Sequence, residues 1–129
     1  MVENDDLERL HRAAVALGLP LEPATLRRLL DFGDLLLRWN RVYNLTALRA
    51  QDSVLTHHLI DCLAILPALQ RHLAERSTTL QSRRPQLVDV GSGGGLPGVV
   101  LALVRPEWQV LCVDSVAKKV AFIRQAAAE

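Results

Sequence analysis

The chain has 129 residues, half of them hydrophobic, enough for one globular domain with a buried core and too apolar for a chain disordered by composition. Its longest uninterrupted apolar run, Val99 to Val104, falls far short of the roughly 20 residues of a spanning helix. The acidic opening "MVENDDLE" is the reverse of a signal peptide, so a cytoplasmic protein without membrane contact is expected. A net charge of +1 argues neither for nor against nucleic acid, although residues 9–84 carry eleven arginines against six acids. Arginine outnumbers lysine thirteen to two, and its planar fork suits phosphate. A general preference for arginine codons gives the same bias.

In chain order, "NDDLERLHRAAVALG" offers caps at Asn4 and Asp5. Leu7, Leu10, Ala14 and Leu17 then recur at helical spacing, and Gly18 is a stop. "EPATLRRLLDFGDLLLRWNRVYNL" opens with Pro23 in a first-turn position and carries Leu26, Leu29, Leu30, Gly33, Leu36 and Leu37 on one stripe. A third helix is predicted across "QDSVLTHHLIDCLAIL", with Asp52 or Ser53 as cap and Pro67 forcing an end or a kink. "STTLQSRR" has no periodic apolar face and reads as an exposed connection.

After it the pattern becomes strand, glycine loop, helix, strand, helix: "QLVDV", the loop, "GVVLALV", "WQVLCVD" and "VAKKVAFIRQAAAE". Both strand runs are almost continuously apolar, as expected for parallel strands covered on both faces. The predicted fold is α/β, a Rossmann-like parallel sheet that stops after two strands. A helical N-terminal subdomain (1–76) and a linker (77–85) precede the α/β part (86–129). Doubly wound sheets normally contain five or more strands, so the α/β part reads as incomplete. The alternative is a complete two-layer domain in which the N-terminal helices cover the sheet.

The segment "LVDVGSGGGLPG", residues 87–98, ends a strand in bare backbone and opens a helix, the nucleotide-binding corner of such folds. Gly91, Gly93 and Gly95 form G-x-G-x-G, whereas Gly93, Gly95 and Gly98 satisfy the dinucleotide spacing G-x-G-x-x-G. Asp89 bears on the choice, because a carboxylate at the strand tip repels a pyrophosphate and attracts a cation. S-adenosylmethionine carries a sulfonium and an α-ammonium and no phosphate. Pro97 removes an N–H from the first helical turn, a loss that matters more to a phosphate ligand. Asp114 ends the second strand, about twenty residues on, where a carboxylate accepts hydrogen bonds from ribose hydroxyls. Each acid also has a structural reading. Asp89 can be a strand-end acid satisfied by loop amides, and Asp114, with Ser115 as alternative, can cap the next helix.

"DVGSGGGLPGVVLALVRPEWQVLCVDSVAKKVAFIRQ", together with "WNRVYNLTALR" and "HHLIDCLAIL", closely resembles the RsmG (GidB) methyltransferases. These methylate a guanine N7 of bacterial 16S ribosomal RNA with S-adenosylmethionine. The resemblance covers the N-terminal part of such an enzyme, from about Leu36 to the end. It implies a class I methyltransferase-like fold, a cofactor loop at Gly91, Gly93, Gly95 and Leu96, and Asp114 as the acid ending the second strand. The implied partner is 16S ribosomal RNA or the small ribosomal subunit, with a monomeric whole enzyme. Cys62 stands where a serine is common. The family's later strands, adenine-flanking loop and arginine-containing motif have no counterpart here. Two other readings stay open: a fragment of an NAD-binding oxidoreductase, and a non-catalytic nucleotide-responsive binding protein.

No catalytic base is assigned. Arg38, Arg41 and Asn44, with Trp39 and Tyr43 among them, suit unstacked bases and phosphates, or else form a packed helix end with Trp39 in the core. His58, a further candidate RNA contact, lies three residues before Asp61, so the two can orient each other at the cofactor side or form a plain surface hydrogen bond. His57 and His58 point to different helix faces and cannot chelate a metal together, so no metal is expected. Arg83 and Arg84 are expected to be solvated, with a phosphate contact as the alternative. Cys62 and Cys112 lack C-x-x-C spacing and read as reduced core thiols.

Overall fold

The structure is a computed structural model and describes residues 2–45, 52–77 and 84–129. The first helix, α1 (Val2–Ala16), starts ahead of Asn4 and Asp5, so these residues lie inside its first turns instead of capping it. Carboxylates there complement the positive end of the helix dipole. Asp6 is buried and faces Arg9 at 3.8 Å. Gly18, at φ 72°, ends the helix as expected, with the Leu19 amide donating to the Ala14 carbonyl at 2.9 Å.

Helix α2 (Pro23–Tyr43) begins with the proline in its first turn and buries Leu26, Leu29, Phe32, Gly33, Leu35, Leu36 and Leu37. That stripe is wider than the sequence spacing indicated, because α2 is covered on two sides. It packs against α1 and α3 (Asp52–Ala64) and also against the two helices of the α/β part. Asn44 closes α2 in a left-handed conformation at φ 50°. Pro67 interrupts the third helical run, and α4 (Leu66–Ser77) follows with the proline in its first turn. Side chains at the expected Asp52 or Ser53 cap lie outside the described residues, as do Thr46, Arg83 and most of the expected linker 77–85.

The α/β part consists of β1 (Gln86–Val90), α5 (Gly98–Val104), β2 (Gln109–Val113) and α6 (Ala117–Ala128). The strands pair in parallel, from Gln86 opposite Gln109 to Val90 opposite Val113. One sheet face carries Leu87, Asp89, Val110 and Cys112 toward the helices. The other carries Val88, Val90, Leu111 and Val113, which are 61, 78, 59 and 42% exposed. The expectation of strands covered on both faces is therefore corrected. The single crossover between the strands runs through α5, which packs on the face that carries Asp89 and Cys112.

A single core runs through both parts, with Leu29, Leu36, Leu59, Leu63, Val100 and Phe122 fully buried. Phe122 of α6 joins them, its ring 6.1 Å from Phe32 and 5.5 Å, edge-on, from Trp39. Arg84 is exposed, in keeping with a solvated side chain, but it is also anchored. Its guanidinium donates to the Glu107 carbonyl at 2.6 Å and the Pro106 carbonyl at 2.9 Å, holding the turn before β2 against the start of β1.

Candidate functional site

A parallel strand pair leaves its carboxyl ends side by side, and the loops leaving them must diverge. Here the divergence is built from glycine. Gly91, Gly93 and Gly95 have φ of 73°, 55° and 87°, a region that other residues enter only with strain. A Cβ at Gly91 or Gly93 would meet no atom within 4 Å, so both positions present backbone to open space. Gly94 and Gly98 are glycine for packing. A Cβ at Gly94 would lie 2.8 Å from Leu36 Cδ1, and one at Gly98 would lie 2.5 Å from Cys112 Sγ and 2.8 Å from Asp89 Oδ2.

The loop is tied to β2 at three points. The Gly91 and Ser92 amides donate to the Val113 carbonyl at 2.7 and 3.1 Å, and the Gly93 amide donates to Asp114 Oδ2 at 2.9 Å. Asp114 Oδ1 accepts from the Val116 amide at 2.9 Å, which fixes the entry to α6. These two amide bonds, with Lys119 nearby, hold the Asp114 carboxyl below its ordinary value of 3.8. Asp114 does not cap α6, whose N-cap is Val116 without a side-chain cap bond; it orders the turn that leads into the helix while remaining at the mouth of the loop.

Asp89 is half-buried on the helix-facing side of β1. Its Oδ2 accepts from the Gly98 amide, the first of α5, at 3.0 Å. This is the loop-amide arrangement anticipated as the structural reading of Asp89. Its charge reaches two thiols as well. Burial, then Asp61 and Asp89, push the Cys62 thiol up to about 11, and burial and Asp89 raise that of Cys112. Both cysteines are free. Leu96 is half-buried and packs against the core.

The candidate RNA residues are not gathered into one group. Arg38 and Arg41 are exposed on α2 and line, with Arg28 and Arg124, a cleft between α2, α5 and α6. Asn44 and His58 are exposed but do not line that cleft. Trp39 is half-buried against Phe122 and stacks on Tyr43 at 5.2 Å, so the packed helix end is the arrangement observed for it. Among the described residues, no cluster of His, Cys, Asp or Glu is placed to hold a metal ion. No described helix is long and apolar enough to cross a membrane.

Residues 25–129 match the family described as rRNA small subunit methyltransferase G (GidB). The chain is 55% identical to the ribosomal RNA small subunit methyltransferase G of Acidovorax sp. (strain JS42), over 98% of this chain and 57% of that protein. It is 51% identical to the protein of the same name from Azoarcus sp. (strain BH72), over 94% of this chain and 51% of that one. The corresponding figures for Ralstonia nicotianae are 50%, 97% and 54%. The chain belongs to the rRNA small subunit methyltransferase G family. It spans about half the length of these relatives and corresponds to their N-terminal part.

For this methyltransferase-family chain, several contributors to the site were not legible in the sequence. Ser92 is buried beneath the loop, with its amide and hydroxyl directed at the Val113 carbonyl. Leu36 and Phe32 of α2 support the loop from below, against Gly94 and Gly95. Leu36 had only the signal of belonging to an apolar stripe, and Phe32 lay outside that stripe as read. Gly98 had been considered as part of a dinucleotide spacing, whereas its contacts are with Asp89 and Cys112.

Proposed function

We propose that the protein to which this chain belongs transfers a methyl group from S-adenosylmethionine to guanine N7 of 16S ribosomal RNA, in the small ribosomal subunit. Family membership supports the reaction class. The observation that carries the cofactor reading is the Asp89 carboxylate on the Gly98 amide. A pyrophosphate uses the free amides at a helix N-terminus. Here the residue before α5 is Pro97, which has no N–H, and the first amide of α5 is already bonded to an anion. A cationic donor meets attraction at the same place, so the methyl donor is favoured over NAD.

The donor would supply an electrophilic methyl on a sulfonium sulfur. The residues present fit it. Bare backbone at Gly91 and Gly93 admits close approach, and Leu96 offers an apolar contact beside the loop. Asp114 is kept ionised, with acceptor capacity left for a ribose hydroxyl. Guanine N7 is an unprotonated lone pair, so no residue has to remove a proton. Held by Gly91, Gly93, Leu96 and Asp114, the donor would give up its methyl group to N7 and keep the bonding electron pair, becoming neutral. The rate gain then comes from holding the two partners in line and away from water. Arg38, Arg41, Asn44 and His58 are proposed to contact the RNA, and the cytoplasm is the compartment where that substrate is found.

The test is a chimera of this chain continued by the C-terminal portion of the Acidovorax relative. A thermal shift with S-adenosylmethionine and none with NAD is expected, with labelled methyl incorporated at guanine N7 of undermethylated small subunits. A shift with NAD alone rejects the cofactor. Cofactor binding without methyl incorporation favours the non-catalytic binding protein.

A further inference from the structure

Four of the chain's five aromatic residues form one ladder. The Phe32 and Phe122 ring centroids lie 6.1 Å apart, those of Phe122 and Trp39 5.5 Å, and those of Trp39 and Tyr43 5.2 Å. The inner end sits under the glycine loop, where a Cβ at Gly95 would lie 3.5 Å from Phe32 Cζ. The outer end is the Tyr43 ring, 45% exposed. Phe32, Leu36, Trp39 and Tyr43 recur at three- and four-residue spacing, so the face of α2 that props the loop runs on to the tyrosine. At a rise of about 1.5 Å per residue, Tyr43 stands about 10 Å along the helix beyond Leu36, the support of Gly94.

A ring braced on one side by packed aromatics and open on the other is a stacking platform for unpaired bases, all of which present a π-face. The surroundings favour a ligand that carries phosphate. Residues 37–43, the last two turns of α2, hold Arg38 and Arg41, both exposed, and no acid. Asn44, exposed just beyond, offers an amide to a base edge. Val42 is the one other exposed large hydrophobic residue of α2, so the apolar spot is too small for the contiguous patch that marks a protein partner. We propose that the open face of Tyr43 stacks on an unpaired RNA base flanking the guanine that is methylated. The offset along α2 puts that base beside the loop and leaves the loop to the donor. Trp39 already orders the ring, so stacking costs little conformational freedom. The inference rests on the proposed RNA substrate and adds to it a residue that holds the strand.

The experiment titrates this chain into a uridine octamer carrying one central 2-aminopurine, whose fluorescence falls when it stacks. Saturable quenching is expected. Tyr43→Phe should keep it, because the ring face remains. Tyr43→Leu, which still packs on Trp39, should weaken the affinity at least about five-fold. Val15→Ala, at an exposed position on α1, should leave it unchanged. If circular dichroism shows the leucine variant unfolded, Tyr43→Met gives the same comparison. No quenching by the unaltered chain, or quenching indifferent to the leucine and methionine variants, overturns the proposal. So does an equal loss with phenylalanine and leucine, which assigns the effect to the hydroxyl. Methyl incorporation by the chimera with the Acidovorax C-terminal portion reads the proposed reaction separately. Quenching that depends on the Tyr43 ring supports the platform even where the chimera transfers no methyl, and an active chimera with quenching indifferent to Tyr43→Leu overturns the platform alone.

Discussion

Gly98 leaves no room for a side chain, because Cys112 Sγ and Asp89 Oδ2 occupy the space where a Cβ would be. Gly98→Ala is expected to destabilise the chain by about 1–3 kcal/mol through overpacking. Adding Cys112→Ala should restore part of that loss, since it removes the closer of the two atoms; paired urea melts read the difference. At Asp114 the amide bonds favour the ionised form in the folded state. Its contribution is present above the ordinary value of 3.8 and lost as pH falls through the lowered native one. A carboxyl NMR titration should place the Asp114 midpoint below 3.8, and a midpoint at or above it would contradict the loop geometry. Cys62 has the opposite sign. Folding holds it as a thiol, so its contribution is complete below the ordinary value of 9.0 and declines as pH rises toward about 11. Alkylation at pH 8 should therefore spare Cys62 in the native chain and modify it rapidly in urea.

At the scale of elements, the helices and strands were legible because each carries its own period and punctuation. Gly18, Pro23 and Pro67 mark real boundaries. The start of α1 was read too late, since Asn4 and Asp5 resemble caps but lie within the first turns of the helix, where only Asp5 of the two carries a charge. In the connection before β1, the exposed Arg84 has an anchoring role that the sequence did not show. "STTLQSRR" lacks apolar periodicity, yet Arg84 bonds carbonyls more than twenty residues away, a pairing no local pattern contains. Arg84→Ala should cost about 1–2 kcal/mol, as expected for charge-assisted bonds to carbonyls at an exposed site, with Arg84→Lys recovering little. Phe122 is the aromatic link between α6 and α2. Phe122→Ala should cost about 3–5 kcal/mol in chemical denaturation and loosen Trp39, whose fluorescence reports the change.

For the whole molecule, the described residues supply one wall of the proposed cofactor site: a loop, two carboxylates and the helices that support them. In-line methyl transfer needs a second wall and a pocket for an unstacked base. This chain by itself is therefore expected to bind S-adenosylmethionine more weakly than about micromolar and to show no turnover; calorimetry with micromolar affinity would refute this.

The sequence alone determined the order of elements, the glycine corner and the family, because these reside in local spacing and in motifs such as "GLPG" that survive without coordinates. Tertiary structure decided how the two acids are used, what Arg84 anchors, and which sheet face is bare. Those depend on groups distant along the chain, whose meeting is fixed by strand register and crossover hand. Asp89 shows the difference. Its position before the glycines marked it as important, but only the folded chain shows its carboxylate bonded to the first amide of α5.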